Sequence, residues 1–186
     1  IIIGALATLV LFLIWSPLLI GWLLASFSIF DAVMTRSQAE KASQTITDLV
    51  SRTADTVGEG YFDELFQLFT LITPRSGGDQ AIRIISVVNE DQDGGPYTVR
   101  WERVISSVDG DGSTFSEAAI AARPLPSRSE LPDIAYLDSL VIIETYTEFE
   151  PLATLFGLEP FTIEQRLYVR PRFIREIVID NEVGGV

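Results

Sequence analysis

Asn89, Asp91, Asp93 and Gly94 stand at the spacing that opens an EF-hand calcium loop. Such a loop needs a bidentate Glu at its twelfth position, and that position is Arg100. The flanking segments also read as strands rather than helices. Asp109 and Asp111 would join a cation site only if the two loops met in space. A solvated hairpin turn is the simpler reading, and no metal or other cofactor is expected.

Arg166, Arg170, Arg172 and Arg175 cluster near the C-terminus. In a strand, the first three share one side. A row of this kind suits an anion or an acidic partner. Glu144 and Glu148 share a face of the preceding strand, so cross-strand ion pairing is the simpler account.

Nucleophilic catalysis has little to work with. The chain has no Cys and no His. That removes thiolate nucleophiles, Cys-type zinc sites and the commonest general base. A Ser–Lys dyad would have to use Lys41, the only Lys, which lies on the charged face of a helix. The reading is a protein that is not an enzyme.

The elements that hold these residues begin with an apolar run. Ile1 to Phe30 contains no charged side chain. About 20 apolar residues span the roughly 30 Å hydrocarbon core of a bilayer, and Ile1 to Leu24 suffices with some tilt. Trp15 and Trp22 are suited to an interface, and Pro17 predicts a kink that a membrane helix tolerates. A secretory signal would have a shorter apolar region, about 7–15 residues. The one Met is Met34, so residues before Ile1 are expected.

From Asp31 to Val57 there is no Pro or Gly. Ala32, Thr35, Ala39, Ala42, Ile46, Leu49 and Thr53 recur at alternating steps of three and four, a seam of mostly small residues. Two readings stay open. The segment is either a stalk packing on a partner helix or a helix lying on its own domain. Unbroken to Val57, it would be roughly 85 Å long at 1.5 Å per residue.

Gly58 and Gly60 end that pattern. Tyr61 to Leu71 reads as a second helix with Phe62, Leu65, Phe66 and Phe69 on one face, closed by Pro74 and Gly77-Gly78. Ala81–Val88 and Tyr97–Ile105 read as a hairpin joined by turn residues Asn89 to Pro96. Asp109 to Gly112 is another turn. Arg123 to Pro132 carries three prolines and reads as an extended surface connection. Leu137–Phe149 and Thr162–Ile179 are two further strand runs, with Pro171 demoting the middle of the last to an edge or bulge.

The predicted fold is therefore α+β. A membrane helix over 1–30 continues into a long amphipathic helix over 31–57. A domain over 58–186 holds a short helix and an antiparallel sheet of about four strands. The chain has 186 residues, with 13 Lys plus Arg against 26 Asp plus Glu, a net charge of −13. That acidity argues against nucleic acid, whose affinity comes from Lys and Arg on phosphates.

Together these residues resemble the TadE-like proteins, with the related TadF and TadG groups, of the bacterial tight-adherence pilus system. The resemblance is greatest to alphaproteobacterial versions. It is carried by Trp15-Ser16-Pro17-Leu18-Leu19, Phe30-Asp31-Ala32, Arg36-Ser37-Gln38-Ala39 and Thr45 to Arg52. Tyr61 with Leu65, Glu144-Thr145-Tyr146, Pro151 and Val169-Arg170-Pro171-Arg172-Phe173 continue it. The resemblance implies a single-pass minor pilin or assembly factor of the bacterial inner membrane. Its N-terminus would be cytoplasmic and its domain periplasmic. It would act by packing on other membrane or pilus proteins through its span and seam. One departure stands out. The family carries a Glu early in the apolar helix, which by register falls at Leu11 here. An accessory subunit of a larger membrane complex, such as a photosynthetic or respiratory one, is the alternative that needs no such Glu. A ligand-binding domain would need a deep pocket with convergent polar groups.

Overall fold

The computed structural model describes residues 2–54, 56–73, 77–91, 96–108, 113–151 and 159–180. The fold is α+β, as the residue pattern predicts. A long apolar helix and a short helix precede a four-stranded antiparallel sheet.

Helix α1 runs from Ile2 to Ser51, 50 residues and about 75 Å, with Pro17 inside it. It stops six residues short of the expected Val57. The last turn tightens, with the Arg52 N–H shared between the Asp48 and Leu49 carbonyls. The chain then leaves the helix because Val57 has other partners. Its N–H donates to Val178 O at 3.0 Å, and its carbonyl accepts from Asp180 N at 2.9 Å. These bonds form a parallel bridge to Ile179.

Helix α2 spans Glu59–Ile72. Phe62, Leu65 and Phe69 turn inward with i, i+3, i+7 spacing, and Phe66 packs at the margin. Thr73 closes the helix: both its N–H and its Oγ1 donate to Phe69 O.

The strands are β1 (Gly77–Val88), β2 (Thr98–Ser106), β3 (Ser139–Phe149) and β4 (Phe161–Val169), in the order β2-β1-β3-β4. β1 and β2 form the expected hairpin. β4 ends at Val169, two residues before Pro171, and bends follow. Proline cannot donate to a ladder, so the single long strand expected over Thr162–Ile179 is cut short here.

The two central strands are buried on both faces. On one face Ile82, Ile84, Val141 and Ile143 pack against Ala42, Ile46 and Val50 of α1 and against Phe62, Leu65 and Phe69 of α2. On the other, Ala81, Ile85, Val87, Leu140, Ile142 and Tyr146 are covered by Phe115, Ile120, Leu131 and Ile134. These last residues belong to the connection from β2 to β3, which must pass across β1 because β2 and β3 are not neighbours. It holds a short helix, α3 (Glu117–Ala121), capped by Ser116, and a 3₁₀ turn at Arg128–Glu130. α3 has no counterpart among the elements expected from the sequence, and Arg123 to Pro132 is not the extended surface connection expected there. The correction has a simple cause: Pro126 and Leu131 are buried, and this segment supplies the sheet's second cover.

Candidate functional site: the anchor helix, its seat and the charge network

The described side chains between Leu9 and Phe30 are mostly bare. Trp15 and Trp22 are exposed, and Pro17 is interior to an unbroken helix. α1 is long and apolar enough in this part to cross a membrane.

The seam that follows has an occupant within the molecule. Thr35, Ala39, Ala42 and Ile46 are buried. Ala32 and Ala39 pack with Phe149 and Ile163, where β3 ends and β4 begins. Ala42 and Ile46 sit on Ile82, Ile84, Val141 and Ile143. Ser43 and Thr145 are joined by a 2.6 Å hydrogen bond. Ser43 Oγ donates to Ala39 O, so the Thr145 hydroxyl supplies the shared proton. The residues expected to receive a partner helix at Thr35, Ala39, Ala42 and Ile46 therefore receive the protein's own sheet. Small side chains let the helix backbone approach closely, and the sheet takes that room. Leu49 departs from the seam and is 39% exposed, while Val50 points inward. A straight helix drifts off a strict seven-residue repeat, which explains the change in the fifth turn of the seam. The segment 31–51 is thus a wall of the folded domain rather than a free stalk.

The opposite face of the sheet carries the charges. Arg83, alone among Ala81, Ile82, Ile84 and Ile85, is 1% exposed. Its Nε donates to Glu102 Oε1 at 2.7 Å and its Nη1 to Glu144 Oε2 at 3.3 Å. It also donates to the carbonyls of Arg123 and Ala121, at 3.1 and 3.4 Å. Glu144 is buried too, and takes further bonds from Arg166 Nε at 2.6 Å and Tyr146 OH at 2.8 Å. Arg123 stacks over the Tyr146 ring at 4.2 Å and pairs with Glu164 at 2.5 Å. Burial pushes the Tyr146 hydroxyl up to about 12, and the adjacent Glu144 carboxylate adds to the rise. A buried charge is tolerated only when paired and hydrogen-bonded, and each charge here is both. The network pins the β2–β3 connection to the sheet.

The cross-strand pairing expected for Glu144 is present, with Arg166 directly opposite it in the ladder. Glu148 instead faces Thr162 and accepts from Asp79 N at 3.3 Å. Arg170 pairs with Asp138 at 3.4 Å, and Arg172 reaches Asp48 at 3.8 Å. The Arg row is dispersed among separate acidic partners. Arg83 was the residue that sequence reading missed. The available signal was a lone charge inside an apolar strand.

Two residues of the calcium-like motif, Asn89 and Asp91, are described, and Asn89 makes contacts within the protein. Asn89 Nδ2 donates to Ile134 O at 2.7 Å, and its Oδ1 accepts from Asp91 N at 3.3 Å. The Asn89 carbonyl accepts from Leu137 N at 2.7 Å, which supports Leu137 at a φ of 59°. Arg100, where a loop Glu would stand, pairs with Glu90 at 2.8 Å and Glu176 at 3.2 Å. Asp93, Gly94, Asp109 and Asp111 lie outside the described residues. Among the described residues no group of three or more carboxylates is placed to hold a metal ion.

A mostly apolar cleft of about 530 Å³ lies between the end of α1 and α2. Leu49, Val57, Leu65 and Leu68 supply its apolar wall, with Arg52 and Glu64 among its lining residues. Inside it Thr53 and Tyr61 share a 2.9 Å hydrogen bond, and burial raises the Tyr61 hydroxyl above its ordinary range. Comparison with protein-family models, curated proteins and solved structures finds no match to this chain.

Proposed function

We propose that this chain is a single-pass membrane protein that acts by packing against other proteins rather than by catalysis. One observation carries this reading. α1 is continuous, bare and apolar in its first part, and sunk into the domain core in its last part. Ala32, the first seam residue to touch the sheet cluster, lies two residues beyond Phe30, about 3 Å along the axis. The domain would therefore rest on the bilayer with no flexible linker, and its orientation would follow the helix. A rigid mount suits a protein that presents a surface to neighbours.

The resemblance to TadE-like pilus proteins fits this layout and gives it a setting. The N-terminus would be cytoplasmic, and the domain periplasmic at a bacterial inner membrane. The Arg83–Glu144 network supports a packing role, since it ties the β2–β3 connection to the sheet and so stiffens the surface the domain presents. The second reading, an accessory subunit of a larger membrane complex, is favoured by Leu11, where the pilus family has Glu.

Topology is tested with a cysteine at Ser129, an exposed position of the β2–β3 connection. The chain has no native Cys, so the background is clean. In intact spheroplasts an impermeant maleimide should label it. Labelling that appears only after lysis would reverse the orientation. Mass spectrometry of the mature N-terminus separates the two settings. A processed, methylated end favours the pilus protein, and an intact cytoplasmic tail favours the accessory subunit.

A further inference from the structure

The membrane-distal end of the domain carries both an apolar knob and an apolar hole. The knob is Phe173, 68% exposed, on the bend that follows β4. This bend is fastened to the end of α1, where Arg172 N donates to Ser51 O at 2.9 Å. The hole is the cleft between α1 and α2, lined by Leu49, Arg52 and Thr53 from that same last turn and by Leu65 and Leu68 from α2. Its volume of about 530 Å³ is ample, since a cavity of ~150 Å³ already admits a benzene ring. Isolated exposed apolar residues are ordinary on a protein surface. An exposed aromatic with arginines at 172 and 175 has the composition enriched in interfaces.

We propose that Phe173 of one copy seats in the α1–α2 cleft of a second copy held in the same membrane. This rests on the single-pass reading above. Knob and hole both sit at the level of residues 49–53 of α1. Copies mounted by parallel, linker-free helices hold such features at one height, so they meet by rotation about the membrane normal alone. Charge fits the same docking. Among the described residues Arg175, exposed beside Phe173, and Glu64, exposed at the cleft, have no ion pair within the chain. Seating Phe173 brings these two unpaired charges of opposite sign together. Pairing through the β4 edge does not offer this: an antiparallel β4–β4 contact is related by a two-fold axis normal to the sheet, and it would point the two anchors in opposite directions.

The test uses full-length chains in membranes, in two differently tagged populations. One carries Phe173→Cys and the other Leu68→Cys, with Leu49→Cys as a second hole position should the first disturb folding. Mild oxidation should give a mixed-tag disulfide dimer. The control pair, Tyr136→Cys with Leu68→Cys, should give little. Adding Arg175→Glu to the knob copy should lower the yield about tenfold, equivalent to about 1.4 kcal/mol. Adding Glu64→Arg to the hole copy should restore it. Yields no higher than the control, or indifferent to Arg175→Glu, would overturn the proposal. So would a Leu68→Cys site shielded from maleimide while Phe173→Cys labels freely, because another molecule would then fill the cleft. Retention in the membrane pellet after an alkaline wash, measured on the same samples, reports the anchoring reading separately.

Discussion

Arg83 and Glu144 face each other across the β1–β3 ladder, Nη1 to Oε2 at 3.3 Å, with both side chains closed off from water. Removing one member of such a pair leaves a buried charge uncompensated. Arg83→Met should therefore destabilise the protein by about 3–5 kcal/mol. Arg83→Met with Glu144→Leu should cost clearly less than the two single changes added. Denaturant unfolding of the full chain in detergent micelles measures both. Strict additivity would show that the two groups do not act as a pair.

The seat of α1 gives a truncation experiment. Ala42, Ile46 and Val50 belong to the main core. A fragment beginning at Asp31 should melt cooperatively. One beginning at Ala54 loses those side chains and should show no cooperative transition, with exposed apolar surface that binds a hydrophobic dye. Cooperative melting of the shorter fragment would mean that α1 is dispensable to the core.

Ala39 and Ala42 sit where the helix comes close to the sheet. Replacing either with Phe overpacks that contact and should cost about 1–3 kcal/mol. Leu49→Ser, at a half-exposed position of the same helix, should cost far less. Thermal melts of the Asp31 fragment separate these. If Ala39→Phe and Ala42→Phe left melting unchanged, the seam would not be closed by the domain's own sheet.

The Tyr146 hydroxyl gives a pH signature. Its folded-state pKa is raised to about 12, above the ordinary value of 10. The folded state thus holds its proton longer than the unfolded chain. The stability this contributes is complete below pH 10 and is lost as pH rises from about 10 to 12. Chemical denaturation across that range should show falling stability, and Tyr146→Phe should flatten the slope. Tyr61 is raised in the same direction, so the slope will not vanish entirely.

Asn89 gives its side-chain amide N–H to Ile134 O and accepts from Asp91 N with its Oδ1, contacts that hold the turn within the protein. Adding EDTA should shift the melting temperature by no more than about a degree, because only a ligand bound to the native state moves it. A loss of several degrees restored by calcium would make the Asn89 turn a real site.

Local periodicity made much of this fold legible. The uncharged run to Phe30 and the absence of Pro and Gly from Asp31 to Val57 prescribe one long helix, because helical order needs only neighbours three and four residues apart. The aromatic stripe of α2 and the Ile- and Val-rich runs of β1, β2 and β3 prescribe their elements for the same reason. Glu144 and Arg166 could be matched because both lie on a shared strand parity.

What tertiary structure decided was the occupant of each face. Ala39 and Ala42 read equally well as a seam for a foreign helix and as a seat for the domain's own sheet. Only the closure of β3 and β4 onto α1 chose the sheet. Val57 reads as the end of a helix until Val178 and Asp180, more than a hundred residues away, take its backbone bonds. Arg83 shows the physical reason most directly. Its burial depends on Glu102, Glu144 and the carbonyls of Ala121 and Arg123, which chain folding alone brings to one place. A side chain's type fixes what it must satisfy, and its distant partners determine whether it can be buried.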